Sequence, residues 1–196
     1  MFVPNNQTGI PDHCLRNHSL GLKDRGMLAT LILLSHYDRK DISVSMLDAF
    51  LNNGKTKTYN ALNRLISFDY VEANQIKKAD GKFGPVQYTL SESVANSRKR
   101  AFFSSEILRD KEAGLEARGL LATMAFYSRI PTWNFCIKGL ASVLPDGEET
   151  IRNAMRVLED KGYVYVERKK DITGRFRCTD YHLTEKGIGG KKKGKK

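Results

Sequence analysis

The 196-residue sequence is poor in cysteine and has no long apolar run. Its three cysteines, Cys14, Cys136 and Cys178, form no C-x-x-C pair and leave an odd thiol, which fits a reducing compartment. No apolar run approaches the roughly 20 residues that a membrane span needs, and the first residues lack the basic-then-apolar pattern of a secretion signal. We therefore expect a cytoplasmic protein that does not associate with membranes.

Groupings that would support catalysis or metal binding are also scarce. No Ser/His/Asp set, phosphate-cradling glycine loop or carboxylate pair stands out in the sequence. His13, Cys14 and His18 lie close together, and Cys178 and His182 are four residues apart. A zinc site would have to combine ligands from both ends of the chain at no standard spacing. We predict a protein that is not an enzyme and that uses no metal or cofactor.

The sequence does contain one long internal repeat. The hexamer "RGMLAT" at residues 25–30 returns as "RGLLAT" at residues 118–123, and this offset of 93 holds without a gap from Leu22/Leu115 to Glu92/Glu185. Identical pairs include Gly26/Gly119, Ala29/Ala122, Leu47/Leu140, Asn60/Asn153, Leu65/Leu158, Tyr70/Tyr163 and Tyr88/Tyr181. Such a period indicates duplicated units, each long enough to be a small domain. We call residues 22–92 the first repeat and residues 115–185 the second repeat.

The net charge of +11 suggests a nucleic-acid partner, but the charge is unevenly distributed. The first repeat contains 10 Lys and Arg residues against 8 Asp and Glu residues, and the second repeat contains 11 against 10. Residues 186–196, in contrast, contain six lysines and no acidic residue. We expect this segment to be a disordered arm that adds salt-sensitive, sequence-independent affinity for DNA.

Helical periodicity predicts three helices at the start of each repeat. In the first helix, Leu22, Gly26, Ala29 and Leu33 form one face. Since glycine disfavours a helix, its presence in both repeats predicts that another helix packs closely there. A second helix is predicted over residues 44–51 and 137–144, with Ser43 as an N-cap, followed by Asn-Gly and Pro-Asp-Gly turns.

The third predicted helix, over residues 56–67, leads into a pattern that alternates as strands do. The inward positions of this helix are Thr58, Ala61, Leu62 and Leu65, matched by Ile151, Ala154, Met155 and Leu158. Strands are predicted at residues 70–76 and 86–90 and at 163–169 and 180–184, around basic loops. Helix-turn-helix followed by a hairpin with a basic tip predicts an α+β protein of two tandem winged-helix domains from an internal duplication.

The predicted domains cover residues 1–92 and 114–185, with residues 186–196 as the lysine-rich arm. A basic linker over residues 93–113 joins them. The segments "MFV" at residues 1–3 and "RAFF" at residues 100–103 could each add a short lead-in strand to the domain that follows. The stretch "SRKR" at residues 97–100 could either track DNA or keep the linker soluble.

The second repeat resembles a known group of domains. The segments "GLEARGLLATMAFY", "WNFCIKGLASVLPDGEETIRNAMRVLEDKGYVYVERKKDITGRF" and "YHL" resemble the helix-turn-helix domains of bacterial phage, plasmid and conjugative-element proteins, many of them replication proteins. The first repeat fits more loosely. Tandem winged helices also recur in plasmid replication initiators, where two domains grip adjacent segments of a repeated site. The resemblance implies binding to double-stranded DNA in replication initiation or transcriptional regulation.

The outward face of the third helix is predicted to read bases in the major groove. The base-reading candidates are Thr56, Asn60 and Asn63 in the first repeat and Arg152, Asn153 and Arg156 in the second. Because Asn pairs with adenine and Arg with guanine, the shared pair Asn60/Asn153 is the strongest candidate. The alternative is an outward Asn that is merely solvated or that hydrogen-bonds the turn.

Phosphate contacts are predicted around that face and at the hairpin tips, where they would position the protein without specifying sequence. The candidates are Lys55, Lys57, Tyr59, Arg64, Lys77, Lys78, Lys82, Arg168, Lys169, Lys170, Arg175 and Arg177. Phe83 and Phe176 are expected to anchor the hairpins rather than to stack on bases. For Arg25 and Arg118, a phosphate contact and an ion pair with a neighbouring acid are equally compatible with the sequence.

The two reading faces differ in charge. Glu149 and Asp160 stand in the second repeat where the first has Thr56 and Ser67. The repeats are therefore expected to read different bases, and the carboxylates could also repel DNA from the second repeat. The alternative hypothesis is a protein–protein interaction module in a replication, conjugation or anti-defence complex. A homodimer is compatible with either hypothesis.

Overall fold

A computed structural model describes residues 6–37, 42–51, 54–77, 81–170 and 176–190. The fold combines helices with small antiparallel sheets and belongs to the α+β class. The first half contains β1 (Gln7–Pro11), α1 (Asp12–Arg16), α2 (Leu22–Ser35), α3 (Val44–Leu51), α4 (Lys55–Ser67), β2 (Val71–Lys77), β3 (Phe83–Leu90) and α5 (Glu92–Ala95). The second half contains β4 (Arg100–Ser104), α6 (Glu106–Arg109), α7 (Leu115–Tyr127), α8 (Ile137–Ala141), α9 (Glu148–Asp160), β5 (Val164–Lys170) and β6 (Phe176–Leu183).

The offset of 93 residues reappears in the element boundaries. β1, α2, α3, α4, β2 and β3 each begin 93 residues before β4, α7, α8, α9, β5 and β6, respectively. The predicted helices and hairpin strands are therefore confirmed in both repeats. α8 ends three residues earlier than predicted, at Ala141. The reason lies in Pro145, since a residue that precedes proline, here Leu144, is disfavoured in helical conformation.

Each hairpin is also joined to the backbone that precedes the second helix of its repeat. β2 pairs with β3 and β5 pairs with β6, both antiparallel. The Tyr88 amide of β3 donates to the Ile42 carbonyl at 2.8 Å, and the equivalent Tyr181 amide of β6 donates to the Phe135 carbonyl at 3.0 Å. These bonds place the hairpins beside the start of α3 and α8.

The predicted linker contains regular structure. β4, the predicted "RAFF" strand, pairs antiparallel with β1, with Gly9 opposite Phe102. In the first half, the strand that precedes the helices is β1. The predicted lead-in strand at residues 1–3 lies outside the described residues. Arg100 of the basic "SRKR" stretch donates to the carbonyls of Gly9 and Ser97 at 2.9 and 3.0 Å. The Arg100 guanidinium is thus engaged in intramolecular hydrogen bonds, while Arg98 and Lys99 remain exposed.

α2 and α7 cross at their glycines in the middle of the protein. A Cβ atom on Gly26 would lie 2.0 Å from the Leu115 carbonyl oxygen, and one on Gly119 would lie 2.0 Å from the Leu22 carbonyl oxygen. The close packing predicted from these glycines is confirmed, and the partner helix is the first helix of the other repeat. Almost every residue of both helices is buried, and the two repeats share one hydrophobic core.

Arg25 and Arg118 are completely buried at this crossing, so neither the phosphate contact nor the ion pair considered from the sequence is found. Arg25 donates to the carbonyls of Leu20 and Asn17 and, at 2.9 Å, to the Thr123 hydroxyl of the other repeat. The equivalent donors of Arg118 reach the carbonyls of Ala113 and Asp110 and, at 3.2 Å, the Thr30 hydroxyl. Burial lowers the pKa of each guanidinium to about 10.

The segment after β6 differs from the predicted arm over residues 186–190. Its backbone forms a turn, and the Ser104 amide of β4 donates to the Gly187 carbonyl at 3.0 Å. The Gln7 side chain donates to the Ile188 carbonyl at 2.6 Å. Residues 191–196 lie outside the described residues. Among the helices that the structure describes, none is long and apolar enough to cross a membrane.

Candidate nucleic-acid interface

The outward face of α4 carries the base-reading candidates of the first repeat. Thr58, Ala61, Leu62 and Leu65 are buried, as their spacing predicted. Because these four positions hold one face of α4 in the core, the remaining face is exposed to solvent. That face contains Thr56, Asn60, Asn63 and Ser67. The predicted exposure is confirmed, whereas base contact stays a prediction.

The N-terminal end of α4 is exposed and basic. Gly54 precedes the helix with a φ of 83°, a left-handed conformation that glycine adopts without strain, and no side chain caps the first turn. Lys55, Lys57 and Tyr59 are all exposed there. Free backbone N–H groups at a helix N-terminus, with lysines beside them, favour a phosphate group. The geometry therefore suits the phosphate contacts predicted for these residues.

α9 exposes the equivalent face with a different charge. Arg152, Asn153 and Arg156 are exposed as predicted. The Arg152 guanidinium lies 3.7 Å from the Glu148 carboxylate, and Arg156 donates to the Asn153 side-chain oxygen at 3.4 Å. α9 contains four acidic and two basic residues, whereas α4 contains three basic residues and no acidic one. The electrostatic difference predicted from the sequence extends along both helices.

Arg64 has an intramolecular partner that the sequence analysis missed. Its guanidinium donates to the buried Asp24 carboxylate at 2.8 Å and to the Ser19 carbonyl at 2.7 Å. Burial raises the pKa of Asp24, and the bond from Arg64 opposes that shift. Arg64 therefore stabilises the packing of α4 on α2, and two of its donors are not directed towards a phosphate.

The repeat alignment contains the signal for this ion pair. Asp24 aligns with Ala117, and Arg64 aligns with Val157, so both partners are exchanged together. In the second repeat the apolar pair borders a cleft of about 260 Å³ between α7 and α9, which Asn153 also lines. The same packing position is thus closed by an ion pair in one repeat and left as a cleft in the other.

We expect Arg64→Val to lower the free energy of unfolding by about 1 to 2 kcal/mol at neutral pH, because the buried Asp24 carboxylate loses its cation. This value is below that of a fully buried pair, since half of the Arg64 side chain is exposed. Asp24→Ala combined with Arg64→Val reproduces the pair of the second repeat and should recover most of the loss. Urea unfolding of the three proteins measures both effects.

The pH dependence of the same variants provides the control. A raised pKa in the folded state means that the contribution of Asp24 to stability falls as the pH rises through that pKa. Lowering the pH towards 4 should therefore shrink the stability deficit of Arg64→Val, because the uncompensated Asp24 carboxylate becomes protonated. The double variant has no carboxyl group at this position and should show no such recovery. A deficit that is equal at pH 4 and pH 7 would contradict the role of Asp24.

The hairpins expose several of the predicted phosphate contacts. Lys77, Lys82 and Arg168 are exposed. Lys78 and Arg175 lie outside the described residues, as do the side chains of Lys169, Lys170, Arg177 and Phe176. Phe83 is 67% exposed, and its predicted role as a hairpin anchor stays a prediction.

The second hairpin carries an exposed aromatic pair that the sequence analysis missed. Tyr165 and His182 are opposite each other in β5 and β6, and their rings stack with centroids 4.8 Å apart. The His182 ring nitrogen lies 3.2 Å from the Glu167 carboxylate. The first repeat has Glu72 and Thr89 at the stacked positions. Cross-strand register, once assigned, is the signal that would have found this pair.

The comparisons with known proteins identify no family. No protein-family model matches the sequence, and no curated protein shows significant similarity to it.

Among the described residues, those considered for a zinc site form no group that could hold a metal ion. Within the described ranges, no group of three or more His, Cys, Asp or Glu side chains could hold a metal ion. Cys14 is buried, and burial raises the pKa of its thiol to about 12, so it carries no thiolate near neutral pH. The Cys178 side chain lies outside the described residues.

Proposed function

We propose that each repeat is a winged helix-turn-helix domain and that the protein binds double-stranded DNA through α4. The observation that carries this proposal is the exposed face of α4, where Asn60 and Asn63 lie among basic residues without any carboxylate. The order of three helices and a hairpin, with the hairpin joined to the backbone before α3, supports the winged-helix assignment. In such a domain the second helix of the helix-turn-helix lies in the major groove.

The biological role that we propose is replication initiation or transcriptional regulation in a phage, plasmid or related mobile element, acting in the cytoplasm. The resemblance of the second repeat to helix-turn-helix domains of such elements supports this role. The paired arrangement of two similar domains in one chain also supports it, since two linked reading helices raise the affinity for a two-part site.

Asn60→Ala should weaken binding to a selected site by roughly tenfold, which is the value of one lost bidentate contact to adenine. Binding to random duplex should be unchanged, because a neutral side chain contributes little to phosphate attraction. Asn74→Ala, on the exposed surface of β2, is the matched control and should alter neither affinity. Equal losses on selected and random DNA would contradict base reading by Asn60. Fluorescence anisotropy titrations of the native chain and both variants on the two DNAs measure all six dissociation constants.

The second candidate function is protein–protein interaction, and the acidic face of α9 favours it. Glu148, Glu149, Glu159 and Asp160 surround the equivalent of the α4 reading face. A chain ending at Gly190 separates the two candidates, because it lacks the terminal lysines but keeps the contacts of Gly187 and Ile188. Binding of this shortened chain to random duplex at low salt supports the DNA proposal. Absence of binding favours the protein–protein module.

A further inference from the structure

The contacts between the two repeats are reciprocal. Arg25 of the first repeat donates to Thr123 of the second, and the equivalent Arg118 donates back to Thr30. Gly26 approaches Leu115 as closely as the equivalent Gly119 approaches Leu22. Each contact becomes its counterpart when 93 is added to the residue number in the first repeat and subtracted from the residue number in the second repeat.

If a two-fold axis relates the repeats, residues near that axis should lie close to the residues 93 positions away that are equivalent to them. Three pairs of equivalent residues do lie close together. Gly9 lies opposite Phe102 in the β1–β4 ladder, and these residues are 93 apart. The Lys23 ammonium lies 3.5 Å from the carboxylate of its equivalent, Glu116. A Cβ on Gly119 would lie 3.0 Å from the backbone nitrogen of its equivalent, Gly26.

Reciprocal contacts of this kind define a two-fold axis. In an isologous interface residue i contacts j and j contacts i, whereas stacking by translation joins two different surfaces. The antiparallel pairing of the equivalent strands β1 and β4 gives the same result, because translation would leave them parallel. The repeats are therefore arranged as a dimer within one chain. This arrangement differs from that of two domains placed head to tail along DNA.

We infer that one chain binds an inverted pair of unlike half-sites in double-stranded DNA, one read by α4 and the other by α9. This inference rests on the proposed function. A two-fold axis turns α4 and α9 into opposite orientations along the duplex, and operator symmetry mirrors protein symmetry in helix-turn-helix dimers. Because both reading helices belong to one chain, no second chain is needed to occupy both half-sites.

The exposed residues predict how the half-sites differ. Asn60 and Asn63 on α4 favour adenine, so its half-site should be rich in A·T pairs. Arg152 and Arg156 on α9 favour guanine, and carboxylates such as Glu149 accept a hydrogen bond from cytosine. The half-site of α9 should therefore be rich in G·C pairs. The shared Asn60/Asn153 predicts one adenine at the same distance from the centre in both half-sites.

Selection of binding sites from randomised duplex DNA with the full chain tests this inference. We expect enriched sequences to contain two unlike half-sites in inverted orientation, with one chain per duplex by native mass spectrometry. A symmetrised chain sharpens the test by giving α9 the reading face of α4. Its four exposed substitutions are Glu149→Thr, Arg152→Tyr, Arg156→Asn and Asp160→Ser.

The symmetrised chain should prefer a perfect palindrome of the α4 half-site over the native site by tenfold or more, since several base contacts change together. All four substituted residues are exposed, so its thermal unfolding should match that of the native chain. As a matched control, Thr56→Glu, Tyr59→Arg, Asn63→Arg and Ser67→Asp on α4 should prefer a palindrome of the α9 half-site.

Three outcomes separate the hypotheses. A selected site with half-sites in direct orientation, or protection of a single half-site, overturns the inverted arrangement while leaving DNA binding intact. Two chains on each duplex overturn occupation of both half-sites by one chain. If the chain binds no duplex at low salt, the proposed function itself fails, and this inference fails with it.

Discussion

Gly26→Ala and Gly119→Ala should each lower the free energy of unfolding by about 3 kcal/mol, which is the upper range for overpacking a core. Each new methyl group would lie 2.0 Å from a carbonyl oxygen of the other helix. Backbone atoms cannot rotate away as a side chain does, so α2 and α7 would have to separate. Separation opens the core that the repeats share. The gain in helix propensity, about 1 kcal/mol, offsets only part of this loss.

Chemical denaturation followed by circular dichroism measures the effect. Gly147→Ala is the control, because a Cβ there meets no atom within 4 Å and its φ of −69° suits any residue. We expect that substitution to change stability by less than about 1 kcal/mol. The double variant should lose less than the sum of the two single losses, since both substitutions strain one interface. Stability unchanged by either single substitution would contradict the helix crossing.

Arg118→Met should lower the free energy of unfolding by about 3 kcal/mol or more. The substitution leaves the Ala113 and Asp110 carbonyls and the Thr30 hydroxyl without the donors that Arg118 supplies. A buried acceptor without a partner costs about 1 to 3 kcal/mol. Removal of the buried charge compensates only in part, because methionine fills the volume but donates no hydrogen bond.

Arg118→Lys and Arg152→Met complete this experiment. Lysine keeps the charge but cannot reach three acceptors with a planar fork, so it should also destabilise the protein. Arg152→Met, on the exposed face of α9, should leave stability nearly unchanged.

The pH dependence of the stability loss in Arg118→Met follows from the lowered pKa of the Arg118 guanidinium. Since the folded pKa is about 10 and the ordinary value is 12.5, the buried charge costs stability below pH 10, and this cost falls as the pH rises above it. Between pH 5 and 9 the guanidinium is charged in both states. The loss in Arg118→Met should therefore be constant in that range, and a loss that varies with pH there would contradict it.

Periodicity along the chain was sufficient to predict the elements and their exposed faces. The bounds of α3, the buried face of α4 and the exposed positions of Asn60 and Asn153 follow from spacing that each repeat shows on its own. A helical period of 3.6 residues determines which side chains share a face before any tertiary contact forms. The repeat added a second, independent reading of the same pattern.

Long-range partners were not predictable in this way. Arg64 stands among exposed residues of α4 and was interpreted as a phosphate contact, yet its main partner, Asp24, lies 40 residues earlier. Phe83 was expected to anchor the first hairpin, yet its side chain at the start of β3 is 67% exposed. In both cases the side chain's environment depends on which element packs beside it.

The repeated hexamer separates what sequence and tertiary structure each decide. By itself the sequence determined that the chain contains two related units at an offset of 93 residues and that a helix packs against Gly26 and Gly119. Only the tertiary structure decided that this helix belongs to the other repeat and that Arg25 and Arg118 are buried there. A hydrogen bond such as that from Arg25 to Thr123, 98 residues away, leaves no periodic trace in the sequence, because it depends on how two helices cross in space.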